Sequence, residues 1–109
     1  FMMNCQELAT AARYDAFPIV LVVNNSMLGT IRMHQEREFK SRVMATDLTN
    51  PDFVKFADSF GIPGHRVTQT EEFAPAFASA LKSNRGALIE LVLDPEVITP
   101  TKLLSNLAK

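Results

Sequence analysis

The chain has little of what marks disulfide-rich, membrane or nucleic-acid-binding proteins. Its single cysteine, Cys5, excludes an internal disulfide and predicts a reducing, cytoplasmic location. Eleven basic and twelve acidic side chains leave a net charge of −1, so no general attraction to nucleic acid or to an anionic membrane is expected. The longest apolar run is far shorter than a membrane span, and the first residues show no secretory signal pattern.

What the sequence does have is the composition of an ordinary soluble globular domain. Apolar residues make up 47% and charged residues 21% of its 109 residues, a length that predicts one domain or part of one. The chain begins at Phe1 rather than at a methionine and enters a helical pattern almost at once. We therefore expect it to be a piece of a longer protein.

The strongest single feature is the stretch Pro18–Gly29. Residues 19–23 are all apolar and four of the five are β-branched, which predicts a strand buried on both faces of a parallel sheet. Asn24 and Asn25 follow it directly. Because ligands of open α/β sheets bind at the carboxyl ends of the strands, Asn25 is a candidate ligand-binding residue. We expect Asn24 to hydrogen-bond within the turn.

Helices are predicted on both sides of this stretch from cap residues and apolar periodicity. The predicted starts are Asn4 with Glu7 as a capping box, Leu28, Asn50-Pro51-Asp52, Thr70, and Thr99-Pro100. The predicted apolar stripes are Cys5, Leu8, Ala9 and Ala12; Phe53, Phe56, Ala57 and Phe60; Phe73, Phe77, Ala80 and Leu81; and Leu103, Leu104 and Leu107.

The segment after the asparagines is rich in charge. A short helix is predicted over residues 28–35, and an irregular connection from about residue 36 to Thr49. Two interpretations of its basic side chains stay open: contact with a phosphate or an acidic substrate, or a solvated face with local Glu–Arg pairs. These side chains are Arg32, Arg37, Lys40 and Arg42.

Strands alternate with these helices. Besides the first strand, a short one is predicted around Arg66-Val67-Thr68 and a strong one over Ala87–Leu93. This alternation predicts an α/β fold: an open, mostly parallel sheet with helices on both faces. Three strands make a thin sheet, which favours an incomplete domain that lacks its N-terminal strands.

Two oxygen atoms near the asparagines suit magnesium. Mg²⁺ prefers oxygen ligands, including neutral carbonyls, and often shares them with substrate phosphates. The Asn25 side chain and the Met27 backbone carbonyl are such ligands, and the helix start at Leu28, Gly29 and Thr30 directs backbone N–H groups toward an anion. The sequence offers no obvious carboxylate for this site.

These residues resemble the second half of the thiamin-diphosphate motif, which begins with Gly-Asp-Gly and ends with two asparagines. The resemblance rests on residues 3–11, the strand, and Asn24-Asn25, and the family's spacing places the Gly-Asp-Gly just before Phe1. Residues 1–109 are therefore similar to the C-terminal part of the domain that binds thiamin diphosphate. The turn Leu28–Ile31 and the helix start at Asn50–Phe53 resemble the acetolactate synthase large subunit most.

The resemblance implies a cofactor and a set of site residues. It implies Mg²⁺ bound by Asn25 and Met27, and thiamin diphosphate bound by the residues Asn25, Met27, Leu28, Gly29 and Thr30. It places no catalytic residue in this chain, because the family's glutamate comes from another domain across a dimer interface. FAD, where a relative carries it, lies on another domain.

The implied activity is decarboxylation of a 2-oxo acid such as pyruvate, followed by carboligation. Ile31 stands where the pyruvate decarboxylase branch has a glutamate, and His34 stands where acetolactate synthases have a tryptophan near the substrate. His34 is thus a candidate substrate-pocket residue. The resemblance further implies a homodimer or homotetramer, and a fragment that is inactive alone.

Two other functions stay open. One is a benzoylformate decarboxylase-like 2-oxo acid decarboxylase or carboligase, from which His34 would distinguish acetolactate synthase. The other is a non-enzymatic, flavodoxin-like or Rossmann-like binding module.

Overall fold

The computed structural model describes residues 1–39 and 42–107. The chain forms two compact units: Phe1–Val23 with Pro51–Val92, and Asn24–Asn50 with the chain from Leu93 onward. The helices and strands, in chain order, are α1 Glu7–Arg13, β1 Ile19–Asn24, α2 Gly29–Glu38, α3 Phe53–Asp58, β2 Gly64–Val67, α4 Thr70–Lys82, β3 Ala87–Val92, β4 Val97–Thr99, β5 Lys102–Leu103 and a 3₁₀ helix Leu104–Asn106.

The first unit is built on a three-stranded parallel sheet in the order β1-β3-β2. In β2 and β3, Gly64 lies opposite Leu88 and Val67 opposite Leu91. This confirms the predicted α/β fold and the three predicted strands, with shifts of one or two residues at their ends.

Helices cover both faces of this sheet. On one face, Leu8 of α1 and the Phe53 and Ala57 side chains of α3 pack with Val22 and Leu88.

On the other face, the Ala80 side chain of α4 packs with Val67 and Ile89, supported by the partly buried Phe73 and Phe77. The Phe stripe predicted for α3 is confirmed. The stripe predicted for α4 is wrong at its last member, since Leu81 is 65% exposed.

The prediction that the first strand is buried on both faces is wrong. Leu21 and Val23 are 46% and 64% exposed, whereas Ala87 to Glu90 of β3 are all buried. The reason is strand order: β1 is an outer strand of the described sheet, α4 packs against β2 and β3, and β3 lies in the middle.

The predicted helix caps are displaced. Gln6, not Asn4, precedes α1 and makes no side-chain cap, so the Asn4–Glu7 capping box is wrong. Helix α3 begins after Asp52, whose carboxylate accepts a hydrogen bond from the Lys55 N–H at 3.2 Å.

Helix α4 is capped by Gln69 rather than Thr70. Glu72 closes a capping box there: its carboxylate accepts from the Gln69 N–H at 3.0 Å, and its own N–H donates to the Gln69 backbone carbonyl at 3.1 Å. Pro75 is tolerated within the helix.

The last predicted helix is also wrong. Val97–Thr99 and Lys102–Leu103 form the antiparallel hairpin β4–β5, and Leu104–Asn106 is a 3₁₀ turn rather than part of an α-helix. Three β-branched residues, 97–99, favour the strand, and Pro100 suits the tight turn, in which the Thr99 hydroxyl accepts a hydrogen bond from the Thr101 N–H at 3.3 Å.

Among the described residues, no helix is both long enough and apolar enough to cross a bilayer.

Candidate functional site: the asparagine turn

The turn after β1 is held together by the side chain of Asn24. Its Oδ1 accepts hydrogen bonds from the Ser26 N–H and from Asn50 Nδ2, both at 2.9 Å. Ser26 has a φ of +56°, a left-handed conformation that non-glycine residues rarely adopt without such support. The prediction that Asn24 hydrogen-bonds the turn is confirmed.

Residues 42–50, which we call the flanking segment, run beside this turn. Met27 and Asp47 face each other in an isolated antiparallel bridge. The hydrogen bonds of the bridge join Leu28 N–H to the Thr46 carbonyl at 2.8 Å and Leu48 N–H to the Ser26 carbonyl at 2.9 Å. Because these bonds flank the Met27–Asp47 pair, the carbonyl of Met27 points away from the flanking segment.

A cavity of about 290 Å³ opens beside the turn. Its lining residues come from the turn, the first half of α2 and the strand β4: Asn25, Gly29, Thr30, Met33, Ile98 and Thr99. Three predicted cofactor-binding residues, Asn25, Gly29 and Thr30, therefore share one cavity. Met27, Leu28 and His34 are not among the lining residues.

Gly29 keeps this cavity open toward Asn25. A β-carbon at position 29 would lie 2.9 Å from Asn25 Nδ2 and 3.2 Å from Ile98 Cδ1. Only glycine leaves the Asn25 amide in its present place, so the backbone at the start of α2 and the Asn25 side chain lie against each other.

The residues present fit part of a magnesium site. Asn25 is half-buried, and its Oδ1 receives one hydrogen bond, from the Met27 N–H at 3.3 Å, which leaves a lone pair for a cation. The Asn25 Oδ1 and the Met27 carbonyl oxygen are thus two neutral oxygen atoms that could serve as metal ligands. Among the described residues no cluster of three or more His, Cys, Asp or Glu side chains could hold a metal. Since Mg²⁺ takes about six oxygen ligands, these two would have to be joined by others, such as water or phosphate oxygens.

The first turn of α2 supplies hydrogen-bond donors. Intrahelical bonding begins with the Arg32 N–H, which donates to the Leu28 carbonyl at 2.9 Å. The Leu28 N–H is used by the flanking segment, which leaves the N–H groups of Gly29, Thr30 and Ile31 without an intrahelical acceptor. Of these residues, Gly29 and Thr30 line the cavity, so their N–H groups are the candidates to meet a diphosphate.

His34 lies farther along α2, with its side chain half exposed. The His34 Nδ1 lies 3.0 Å from Arg37 Nη2 and 3.8 Å from Glu38 Oε1. Since arginine can only donate, the His34 Nδ1 accepts this bond. The hydrogen bond and charge of Arg37 hold the pKa of Glu38 below its usual value.

The sequence singles out four basic side chains, and the three that the structure describes do not converge on one site. Arg32 pairs with the buried Glu36 at 2.8 Å and Arg37 pairs with Glu38 at 2.8 Å, which confirms the interpretation as local Glu–Arg pairs for these two. Arg42 lines a separate cavity of about 590 Å³ with Phe39 and Met44. Lys40 lies outside the described residues.

Three lining residues, Met33, Ile98 and Thr99, were not expected. Residues 97–99 carry a strand signal, because all three are β-branched, but the Thr99-Pro100 pair favours a helix start and obscures it. No sequence signal places Met33 in a site.

Comparison with known proteins identifies the family. The sequence profile described as thiamine pyrophosphate enzyme, C-terminal TPP binding domain, matches residues 1–91. The chain belongs to this family. The match confirms the thiamin-diphosphate-binding fold and favours it over a flavodoxin-like or Rossmann-like module.

Acetolactate synthases are among its relatives. The chain is 34% identical over 101 residues to the probable acetolactate synthase large subunit of Methanocaldococcus jannaschii, covering 92% of this chain and 17% of that protein. It is 36% identical over 95 residues to the acetolactate synthase isozyme 2 large subunit of Escherichia coli, covering 86% and 17%. It is 38% identical over 92 residues to the acetolactate synthase large subunit of Parasynechococcus marenigrum, covering 83% and 15%. The chain thus spans less than a fifth of the length of these curated relatives.

Proposed function

We propose that the asparagine turn binds the diphosphate of thiamin diphosphate together with Mg²⁺. The observation that carries this proposal is the shared cavity of Asn25, Gly29 and Thr30 at the carboxyl end of β1, in a chain of the TPP-binding family. Asn25 Oδ1 and the Met27 carbonyl would bind the metal. The Gly29 and Thr30 N–H groups would donate to the diphosphate.

We further propose that the full-length protein is an acetolactate synthase-like enzyme that acts on a 2-oxo acid such as pyruvate, joining its decarboxylation to carboligation. The names of the relatives support this activity. When bound, the cofactor supplies a nucleophilic carbon and an electron sink, and the protein orients it. The residues of this chain bind and orient, and His34 is proposed as a substrate-pocket residue.

The remaining parts of the proposed enzyme lie outside this chain. A second subunit would contribute the pyrimidine-binding domain and its glutamate, in a homodimer or homotetramer, and any FAD would bind elsewhere. The chain alone would then be inactive. We propose a cytoplasmic location, with which the single cysteine is consistent.

Replacing Asn25 tests the metal and diphosphate site. In the full-length protein, Asn25→Ala should weaken Mg²⁺-dependent binding of thiamin diphosphate by about 1–3 kcal/mol, because one oxygen ligand of a charged group is lost. Isothermal titration calorimetry measures this change. The matched control is Asn84→Ala, at an exposed turn position after α4. Equal affinities for Asn25→Ala and the wild type would refute the assignment.

A further inference from the structure

We propose that Asn50 is a positioning residue for the metal-binding turn, acting through Asn24. The inference rests on the proposed function, because it concerns the same turn. Asn50 lies 26 positions along the chain from Asn24, and its Nδ2 donates to Asn24 Oδ1 at 2.9 Å. It marks the end of the flanking segment, before α3 begins.

The two ends of the turn are held by backbone hydrogen bonds. The Asn24 carbonyl accepts from the Leu93 N–H at 2.8 Å, and Met27 lies between the two bonds to the flanking segment. Both ends are thus independent of the Asn24 side chain.

The middle of the turn is held by that side chain as well as by the Leu48 N–H, which donates to the Ser26 carbonyl at 2.9 Å. Asn24 Oδ1 accepts from the Ser26 N–H at 2.9 Å and lies 3.4 Å from the Ser26 hydroxyl. This oxygen therefore supports Ser26 in its left-handed conformation, with a φ of +56°. The two proposed metal ligands, Asn25 and Met27, are the immediate neighbours of Ser26, so its conformation sets the direction in which their oxygens point.

Asn50 fixes the orientation of the Asn24 amide. An amide that rotated about its side-chain bonds would take Oδ1 away from Ser26. The bond from Asn50 Nδ2 to the same oxygen opposes this rotation. Among the described residues, the hydrogen bond of the Asn50 side chain goes to Asn24 and not to either proposed ligand, so we infer that its effect on the metal passes through Asn24.

A double-mutant cycle tests this pathway in the full-length protein. The variants are Asn50→Ala, Asn24→Ala and the double variant, with Asn84→Ala as a control at an exposed asparagine. Calorimetry at fixed Mg²⁺ gives the affinity for thiamin diphosphate, and a Mg²⁺ titration at saturating cofactor gives the half-saturating metal concentration. Thermal unfolding without metal or cofactor reports stability separately.

We expect the effects of the Asn24 and Asn50 substitutions on binding to be non-additive. In the wild-type background, Asn50→Ala should weaken metal-dependent binding roughly threefold to tenfold, because one hydrogen bond is lost. When Asn24 is already alanine, the same substitution should have no further effect on binding. A purely structural role would lower the unfolding temperature and leave both binding constants unchanged. That result, or equal losses in both backgrounds, would overturn the inference.

Failure of the proposed function would look different. If the wild type shows no Mg²⁺-dependent binding of thiamin diphosphate, both proposals are wrong. If the wild type binds and Asn25→Ala weakens binding while Asn50→Ala does not, only the positioning role of Asn50 is wrong. Should Asn50→Ala unfold, Asn50→Ser, which keeps a shorter polar side chain, replaces it in the cycle under the same criteria.

Discussion

At the scale of single residues, the absence of one β-carbon determines whether the Asn25 amide can lie against the start of α2. Gly29 is in an ordinary right-handed helix, so its conformational freedom is not what the site requires. What the site requires is space, since a β-carbon there would lie 2.9 Å from Asn25 Nδ2.

Gly29→Ala should therefore move the Asn25 side chain. The methyl group would also gain helix propensity, so we expect an unfolding temperature close to that of the wild type but weaker Mg²⁺-dependent binding of thiamin diphosphate, by roughly tenfold. Calorimetry on the full-length protein measures the binding. The control is Ser79→Ala, an exposed position of α4. Unchanged binding would show that Asn25 can shift without loss of a ligand.

Thr46 has a buried hydroxyl without a hydrogen-bond partner among the described residues. The residue is 1% exposed, and its backbone carbonyl accepts a hydrogen bond from the Leu28 N–H. Replacement by the isosteric valine should raise the free energy of unfolding by about 1 kcal/mol, because the unpaired hydroxyl costs desolvation energy. Denaturant unfolding measures it, with the exposed Thr49→Val as control. A destabilised Thr46→Val protein would reveal an ordered water at the hydroxyl.

At the scale of elements, the capping box of α4 makes stability depend on pH. The N–H groups of Thr68 and Gln69 donate to the Glu72 carboxylate at 2.7 and 3.0 Å and hold its pKa below the usual value of 4.5. Since the pKa is lower in the folded state, the stabilisation is complete above pH 4.5 and is lost as the pH falls through the folded-state pKa.

Comparison of the wild type with Glu72→Gln should show this dependence. The amide keeps the shape but loses the charge, so the variant should unfold at a lower temperature at neutral pH. The difference should shrink as the pH is lowered below 4.5. Thermal unfolding at a series of pH values measures it. A constant difference across the series would assign the effect to packing rather than to the charge.

The hairpin β4–β5 shows that residues typical of helix caps do not always predict a helix. A proline after threonine is typical of both a helix start and a tight turn, and the two cannot be separated locally. Pairing of β4 with β5 selects the turn, and it also brings Ile98 and Thr99 to the wall of the cavity.

At the scale of the whole molecule, the sheet unit contains a network of ion pairs that joins Glu90, Arg66 and Asp52. Glu90, on the central strand, has a side chain that is 5% exposed, and Arg66 Nε donates to it at 2.7 Å. The other end of the guanidinium reaches Asp52, the cap of α3, at 2.9 Å. This network links α3, β2 and β3. Hydrogen bonding from the Lys55 N–H, together with the nearby Arg66, holds the pKa of Asp52 below its usual value.

Arg66→Ala should lower the free energy of unfolding by about 2 kcal/mol, because it leaves a buried carboxylate with less compensation; the half-exposed arginine keeps the effect below that of a fully buried pair. Denaturant unfolding measures it. The control is Lys55→Ala, with an expected change of about 0–1 kcal/mol. The Lys55 side chain is 84% exposed, and its ammonium lies 3.7 Å from Asp52. Equal effects of the two substitutions would show that Glu90 does not depend on Arg66.

Much of the secondary structure follows from local patterns. The Phe stripe of α3 has a 3.6-residue period, and the aliphatic runs of β1 and β3 are strongly β-forming, so element type is decided by the chain itself. The burial of a strand does not follow from its own sequence in the same way. The wholly apolar run of β1 lies at an outer position of the described sheet, while β3, which contains a glutamate, occupies the centre.

The sequence by itself determined the α/β class, the strand that ends in two asparagines, and the family, because these depend on patterns within short stretches. The tertiary structure decided which strand is central, that Asn50 donates a hydrogen bond to Asn24 while Asp52 caps α3, and that Ile98 and Thr99 share a cavity with Asn25. Each of these depends on contacts between residues far apart in the chain, and local propensity carries no information about which distant partner a side chain will meet.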